Sequence, residues 1–162
     1  MVVGGCGGGD GGSDDDRVTT SGPLVPSKRD YISQADGFCA FYESRVEELG
    51  KERFGLNAKD FKVRPSGQIV FRAGHRPSDA AIEDFVLGTA VPNLREELDE
   101  VRALTPPAGD EAQVAAIFDA AARAVDGLEA DPATFADDAA VRRLFADARR
   151  TGRRYGLQEC GL

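Results

Sequence analysis

The sequence has a single histidine, fewer basic than acidic residues, and no long run of hydrophobic residues. With only His75, the chain can form neither a histidine-based catalytic triad nor a multi-histidine metal site. Its 20 Lys and Arg residues against 28 Asp and Glu residues give a formal net charge of -8, which argues against binding to nucleic acid phosphates. No stretch of about 18 apolar residues occurs, so no membrane-spanning helix is expected.

The first 26 residues differ in composition from the rest of the chain. Residues 4–12 are almost all glycine, and 13–16 add three aspartates, so this segment has almost nothing apolar to offset the entropy of ordering it. The aspartates lack the spacing of a calcium-binding loop. We therefore predict a disordered tether over residues 1–26, one helical domain over 27–162, and no metal or cofactor site.

Hydrophobic residues at helical spacing predict four amphipathic helices in the domain. The first begins after Ser27, a candidate N-cap, and ends at Gly50 or Gly55. The second covers residues 78–104, and Pro92 within it is expected to kink or split it, because proline removes a backbone donor and clashes with the preceding turn.

The third helix is expected to be capped by Asp110 and broken by Asp131-Pro132. The fourth carries an apolar face from Val141 to Tyr155, with six arginines between 142 and 154 mostly outside that face. These arginines lie toward the C-terminal half of the helix, where positive charge complements the helix dipole.

The segment between the first two helices has a different pattern. Pro65-Ser66-Gly67 predicts a turn between two short strands, because it is flanked by the apolar residues Phe61, Val63, Ile69, Val70 and Phe71. The predicted fold class is therefore all-α, a four-helix bundle-like domain with a small β-hairpin between helices one and two.

The three cysteines have different surroundings and are interpreted separately. Cys6 lies in the glycine-rich tether, Cys39 on the apolar stripe of helix one, and Cys160 just after the last helix. A disulfide between Cys39 and Cys160 would remove an exposed thiol and join the C-terminal tail to helix one. The alternative is a buried thiol at Cys39 and an unpaired one at Cys160, and the residues alone leave both interpretations open.

The residues around Cys6 resemble a known export signal. Val3-Gly4-Gly5-Cys6 is similar to the end of a bacterial lipoprotein signal, where small residues precede the cysteine that receives the lipid. The resemblance implies lipid attachment at Cys6, followed by the polar tether that such proteins carry. The basic and most of the apolar part of the signal do not precede Cys6, so we expect translation to begin upstream of Met1.

Three segments of the domain resemble a group of uncharacterised small secreted or lipid-anchored helical proteins of actinobacteria. They are residues 30–39 (DYISQADGFC), 104–110 (LTPPAGD) and 155–161 (YGLQECG), and their order and spacing carry the match. The resemblance implies a Cys39–Cys160 disulfide and an extracytoplasmic location, and it implies no activity. Residues 51–76 fit the group least well.

Helix one also carries an aromatic cluster that is wider than a single stripe. Core packing is one interpretation, and a groove for a ligand or partner is the other. The candidate groove residues are Tyr31, Phe38, Phe41 and Tyr42.

Two pairs of glutamates lie one helical turn apart, Glu43 with Glu47 and Glu96 with Glu100. Neighbouring arginines favour charged surface over acid/base catalysis for both pairs. With no catalytic grouping identified, we expect a protein that is not an enzyme.

Taken together, these features predict a structural or interaction module outside the cytoplasm, attached to the membrane through a lipid on Cys6. The alternative hypothesis is an extracytoplasmic protein that binds a small ligand or a metal ion in a pocket between helices. In that case the aromatic residues of helix one would line the pocket, and residues 61–71 would cover it.

Overall fold

A computed structural model of the chain describes residues 26–55, 61–63, 69–72, 74 and 76–160. The regular elements follow in chain order: α1 (Lys28–Phe54), β1 (Phe61–Val63), β2 (Ile69–Phe71), α2 (Asp79–Phe85), a π-helix (Val86–Ala90), α3 (Val91–Ala103), α4 (Glu111–Ala130), a 3-10 helix (Pro132–Ala136), α5 (Asp138–Leu144) and α6 (Ala146–Tyr155). Most of the predicted tether, together with Cys6, lies outside the described residues.

Helix α1 begins and ends where its local sequence predicts. The Ser27 hydroxyl accepts a hydrogen bond from the backbone N–H of Asp30 at 3.2 Å and donates to the Asp30 carboxylate at 2.6 Å. At the other end, Gly55 adopts the left-handed conformation with φ of +60° and closes the helix. Both ends are set by residues within one turn of the boundary, so sequence reasoning could find them.

The two short strands β1 and β2 pair antiparallel between α1 and α2. Phe61 is opposite Phe71, and Val63 is opposite Ile69. The predicted turn at 65–67 lies outside the part of the chain that the structure describes.

The kink or split predicted near Pro92 takes the form of a change of helix type, because the π-helix ends at Ala90 and α3 begins at Val91. The chain passes from α2 through the π-helix into α3, and the wider π turn lets the N–H of Val91 bond to the carbonyl of Val86, five residues back. The Asn93 side chain donates to the Thr89 carbonyl at 2.8 Å. A local change of helix type therefore accommodates the proline without ending the helix.

Two boundary predictions need correction. Asp110 precedes α4 as predicted, but its side chain makes no capping hydrogen bond. The single fourth helix is also wrong, because the segment divides into the 3-10 helix, α5 and α6. The last division falls at Phe145, whose backbone has φ of -89° and ψ of 6° while its ring is buried.

The described part of the chain forms four helical units, namely α1, the α2–π–α3 run, α4, and the α5–α6 pair. Helix α3 packs against both α1 and α4, and α4 packs against α6. Their apolar faces meet in one core, in which Tyr31, Phe85, Ile117, Leu128 and Leu157 are among the largest fully buried side chains. The all-α, four-helix bundle-like prediction is confirmed. Among the described residues, no helix is long and apolar enough to cross a membrane.

Two glycines provide a matched test of these backbone assignments. Gly156 ends α6 with φ of +119°, and a Cβ there would lie 2.9 Å from the Ile32 side chain, so Gly156→Ala should lower the free energy of unfolding by about 1–2 kcal/mol. Gly37 lies inside α1 with open space around it, so Gly37→Ala should raise that free energy by about 0.5–1 kcal/mol. Urea unfolding measures both changes. Equal effects of the two substitutions would contradict the assigned conformations.

Candidate functional site

The described chain ends in a tail that is covalently joined to α1. Cys39 and Cys160 form a disulfide with an S–S distance of 2.08 Å and a Cα–Cα distance of 5.0 Å across 121 residues of sequence. Both cysteines are buried. The predicted pairing is confirmed, and the alternative of two separate thiols is excluded.

Asp36 reinforces the disulfide from one turn earlier on α1. Its carboxylate accepts hydrogen bonds from the backbone N–H groups of Gln158, Glu159 and Cys160 at 3.0–3.3 Å. A carboxylate that accepts several backbone N–H groups makes charge-assisted hydrogen bonds. We refer to Asp36, Cys39, Gly156 and Cys160, with the tail they hold, as the C-terminal clasp.

Sequence reasoning did not identify Asp36. Its partners lie 122 to 124 residues away, so nothing in the local spacing distinguishes it from any other acidic residue on a helix. The only available signal was its position three residues before Cys39, which places both side chains on the same face of α1. Because Cys39 is joined to Cys160, the C-terminal tail lies against this face of α1 and so contacts Asp36.

A small cavity lies beside the clasp, between α3, α4 and the tail. Its volume is about 10 Å³, roughly the space of one water molecule, and its walls are almost entirely apolar. Cys160, Phe118 and Phe145 contribute to these walls, and Glu97 is the ionisable residue among them. A cavity of this size cannot admit an organic substrate.

Glu97 is a buried acid that sequence reasoning missed. Only 6% of its surface is exposed, and burial raises its pKa to about 8, with a further contribution from the negative charge of Glu43. The pKa of Glu43 is itself raised, first by loss of hydration and then by the charges of Glu159 and Glu47. At neutral pH, Glu97 therefore lies in the core mainly in its protonated form.

One glutamate of each pair considered from the sequence forms an ion pair at the surface. Glu47 pairs with Lys51, and Glu96 pairs with Arg45 at 3.0 Å. Both ion pairs are solvent-exposed, as expected for the charged face of a helix. The residue with the strongly altered acidity, Glu97, follows Glu96 directly but is buried, because consecutive residues lie about 100° apart around a helix.

A second polar network joins the start of α1, the start of α4 and the end of α6. The Tyr155 hydroxyl donates to the Asp110 carboxylate at 2.9 Å, and Lys28 lies 3.5 Å from the same oxygen. The ammonium of Lys28 also lies 3.8 Å from the centre of the Tyr155 ring. Burial, followed by the Asp110 hydrogen bond, raises the pKa of Tyr155. This network explains why the Asp110 side chain does not cap α4.

The four candidate groove residues have different surroundings. Tyr31 is buried edge-on against Tyr155 with ring centres 6.3 Å apart, and its hydroxyl has no hydrogen-bond partner among the described residues. Tyr42 is buried, Phe38 packs against the core, and Phe41 is 58% exposed. The rings of Phe41 and Tyr42 contact each other at 5.2 Å. The helix therefore separates the four side chains between the core and the surface.

Two other residues considered from the sequence cannot be placed in the fold. His75 and Cys6 lie outside the described residues. Within the described ranges, no group of three or more His, Cys, Asp or Glu side chains is arranged to hold a metal ion. Comparisons of the chain with protein-family models, with curated proteins and with solved structures return no match.

Removing the disulfide should destabilise the domain strongly. The chain-entropy treatment assigns about 4–5 kcal/mol to a loop of this length, and measured losses are commonly about 2–5 kcal/mol. We expect the Cys39→Ala, Cys160→Ala variant to unfold at a lower urea concentration than the oxidised protein. Reduced wild-type protein should match the variant, and an unchanged unfolding midpoint after reduction would contradict the role of the clasp.

Glu97 should make stability fall as pH rises. The unfolded residue has its ordinary pKa of 4.5 and the folded one about 8, so between these values the folded state retains a proton that the unfolded state releases. Stability is therefore highest below pH 4.5 as far as this residue is concerned, and the loss is complete above pH 8. Glu97→Gln stays neutral and should raise the free energy of unfolding at pH 8 by roughly 1–3 kcal/mol.

The control for this experiment is Glu48→Gln, an exposed position on α1. It should preserve the dependence of the unfolding free energy on pH between 5 and 8, measured by urea titration at intervals of about half a pH unit. If Glu97→Gln and wild-type protein lose stability at the same rate across this interval, Glu97 is not the titrating group.

Proposed function

We propose that this protein is a lipid-anchored, non-enzymatic interaction module at the outer face of a bacterial cell membrane. The observation that carries the proposal is the C-terminal clasp, in which a buried disulfide joins α1 to the end of the domain. Structural disulfides form and persist in oxidising compartments and are rare where glutathione and thioredoxin keep thiols reduced. The clasp thus favours a location outside the cytoplasm.

The anchor in this proposal is Cys6. The sequence Val3-Gly4-Gly5-Cys6 resembles a lipoprotein signal, and a polar glycine- and aspartate-rich segment follows it. Since α1 starts at Lys28, about 20 residues separate the lipid from the folded domain. A chain of that length gives the domain freedom to move over the membrane surface while remaining attached.

The interior of the domain supports contacts made at the surface over a ligand pocket or an active site between the helices. The cavity between α3 and α4 has a volume of about 10 Å³, whereas ligand pockets commonly have about 300–1,000 Å³. Glu97, the strongly perturbed acid of the described residues, faces this cavity and so is out of reach of a substrate. Contacts with a partner would therefore be made from the surface of the domain.

Intact mass of the protein recovered from its native host tests the proposal. We expect an added mass equal to a diacylglyceryl group on Cys6, and a gain of two hydrogens when the Cys39–Cys160 bond is reduced. Cys6→Ala should remove the lipid increment and retain the two-hydrogen shift. Fractionation should then find wild-type protein in the membrane and the variant outside it.

Two results would overturn the proposal. An unmodified Cys6 in protein from the host would remove the anchor. Three free thiols in that protein, measured after rapid alkylation, would show that the disulfide does not form there and that the compartment is reducing.

A further inference from the structure

The two last helices carry a charge opposite to that of the whole protein. Residues 138–155 contain six arginines and two aspartates, a local charge of +4, in a chain with a net charge of -8. The arginines are Arg142, Arg143, Arg149, Arg150, Arg153 and Arg154. Four of the six lie in the last turns of α5 and α6, where positive charge complements the helix dipole, but Arg149 and Arg150 lie outside those turns.

Four of these arginines surround a concave surface on α5 and α6. The arginine hollow, as we name it, is lined by Arg142, Ala146, Arg149, Arg150 and Arg153 and has a volume of about 310 Å³. Its members recur at intervals of three or four residues, so they share one side of the helical pair. The small side chain of Ala146 in the middle of this row leaves the space that the longer arginines border.

The positive charge in the arginine hollow is only partly balanced. Arg142 pairs with Asp138 at 3.0 Å, and Arg150 pairs with Asp147 at 2.5 Å. Arg149 and Arg153 form no ion pair within the described ranges of the chain. The hollow therefore brings two unpaired guanidinium groups close to two paired ones.

The acidity of Arg149 is altered by burial and by the positive charges that lie close to it. Arg149 is half-buried, and its pKa is lowered first by burial and then by the positive charges of Arg153 and Arg142. Only Asp138 acts in the opposite direction. A bound anion would reduce the repulsion among these side chains and would replace the water that Arg149 has partly lost.

The geometry of arginine favours a phosphate group among small anions. Each guanidinium presents parallel N–H donors that match two oxygens of a phosphate or carboxylate, and several arginines can share the three or four oxygens of one phosphate. The hollow is open to solvent, so a group attached to the phosphate can extend away from the protein. A polymer of nucleotides is disfavoured because the rest of the protein is acidic.

We propose that the arginine hollow binds the phosphate group of an anionic ligand, with Arg149 and Arg153 as its principal ligands. The phosphate can be that of a membrane lipid headgroup or of a soluble phosphorylated molecule, and the chemistry of recognition is the same in both cases. This site is independent of lipid attachment at Cys6, so either proposal can fail without the other.

The test uses the full 162-residue chain with its disulfide formed and without lipid. Isothermal titration with tripolyphosphate at low ionic strength measures binding of a soluble phosphate. Co-sedimentation with phosphatidylglycerol vesicles, compared with phosphatidylcholine vesicles, measures binding of an anionic lipid headgroup. Citrate provides a multivalent carboxylate as a control for charge alone.

We expect at least one phosphate probe to bind, and the Arg149→Glu, Arg153→Glu variant to bind it at least about tenfold more weakly. Arg72→Glu with Arg123→Glu makes the same change of charge at exposed positions outside the hollow and should bind within about twofold of wild type. Arg153→Glu alone, at an exposed position, replaces the double variant if circular dichroism shows that the latter does not fold.

The pattern of binding identifies the source of the phosphate. Binding to phosphatidylglycerol vesicles alone indicates a lipid headgroup, binding to tripolyphosphate alone indicates a soluble ligand, and binding to both supports a phosphate site open to either. The proposal is wrong if neither probe binds, if citrate binds as tightly as tripolyphosphate, or if the hollow variant and the Arg72, Arg123 variant lose binding equally.

Discussion

The bond between Cys39 and Cys160 holds the C-terminal tail against α1, and the arrangement of the core on that side of the bundle depends on it. The Asp36 carboxylate fixes the backbone of the same tail, and Leu157 within it is fully buried. With the tail in place, Cys160 closes one wall of the cavity beside Glu97. The disulfide therefore contributes one wall, beside those from α3 and α4, to the burial that raises the pKa of this acid.

Protonation explains why a buried acid is tolerated at Glu97. A protonated carboxyl is far less costly to bury than a carboxylate, and the apolar walls of the cavity keep the carboxyl in that form at neutral pH. Charged groups at the surface stay ionised in water, and the arginine hollow brings several positive ones together on α5 and α6 of an acidic protein.

Local interactions made the helical fold predictable, and distant ones limited what could be predicted of the site. Ser27 and Gly55 determine the ends of α1 through contacts within a turn, so their effect is visible in the sequence. Asp110 has the same chemistry as a capping residue, yet its carboxylate is occupied by Tyr155, 45 residues later in the chain. Glu97 lies beside an ordinary surface glutamate, and only the packing of α1, α4 and the tail around it makes it different.

The clasp shortens the covalent path between the two ends of the domain. The covalent path from Ser27 runs along α1 to Cys39 and passes through the disulfide to Cys160. From there it reaches the end of α6 at Tyr155, which precedes Cys160 closely in the sequence. If the protein is anchored through residues 1–26 and holds a ligand at Arg153, as proposed, a force between these two points would follow this covalent route. The part of the chain from α2 to α5 lies outside this route, so the load would fall on α1 up to Cys39 and on the residues between Arg153 and Cys160.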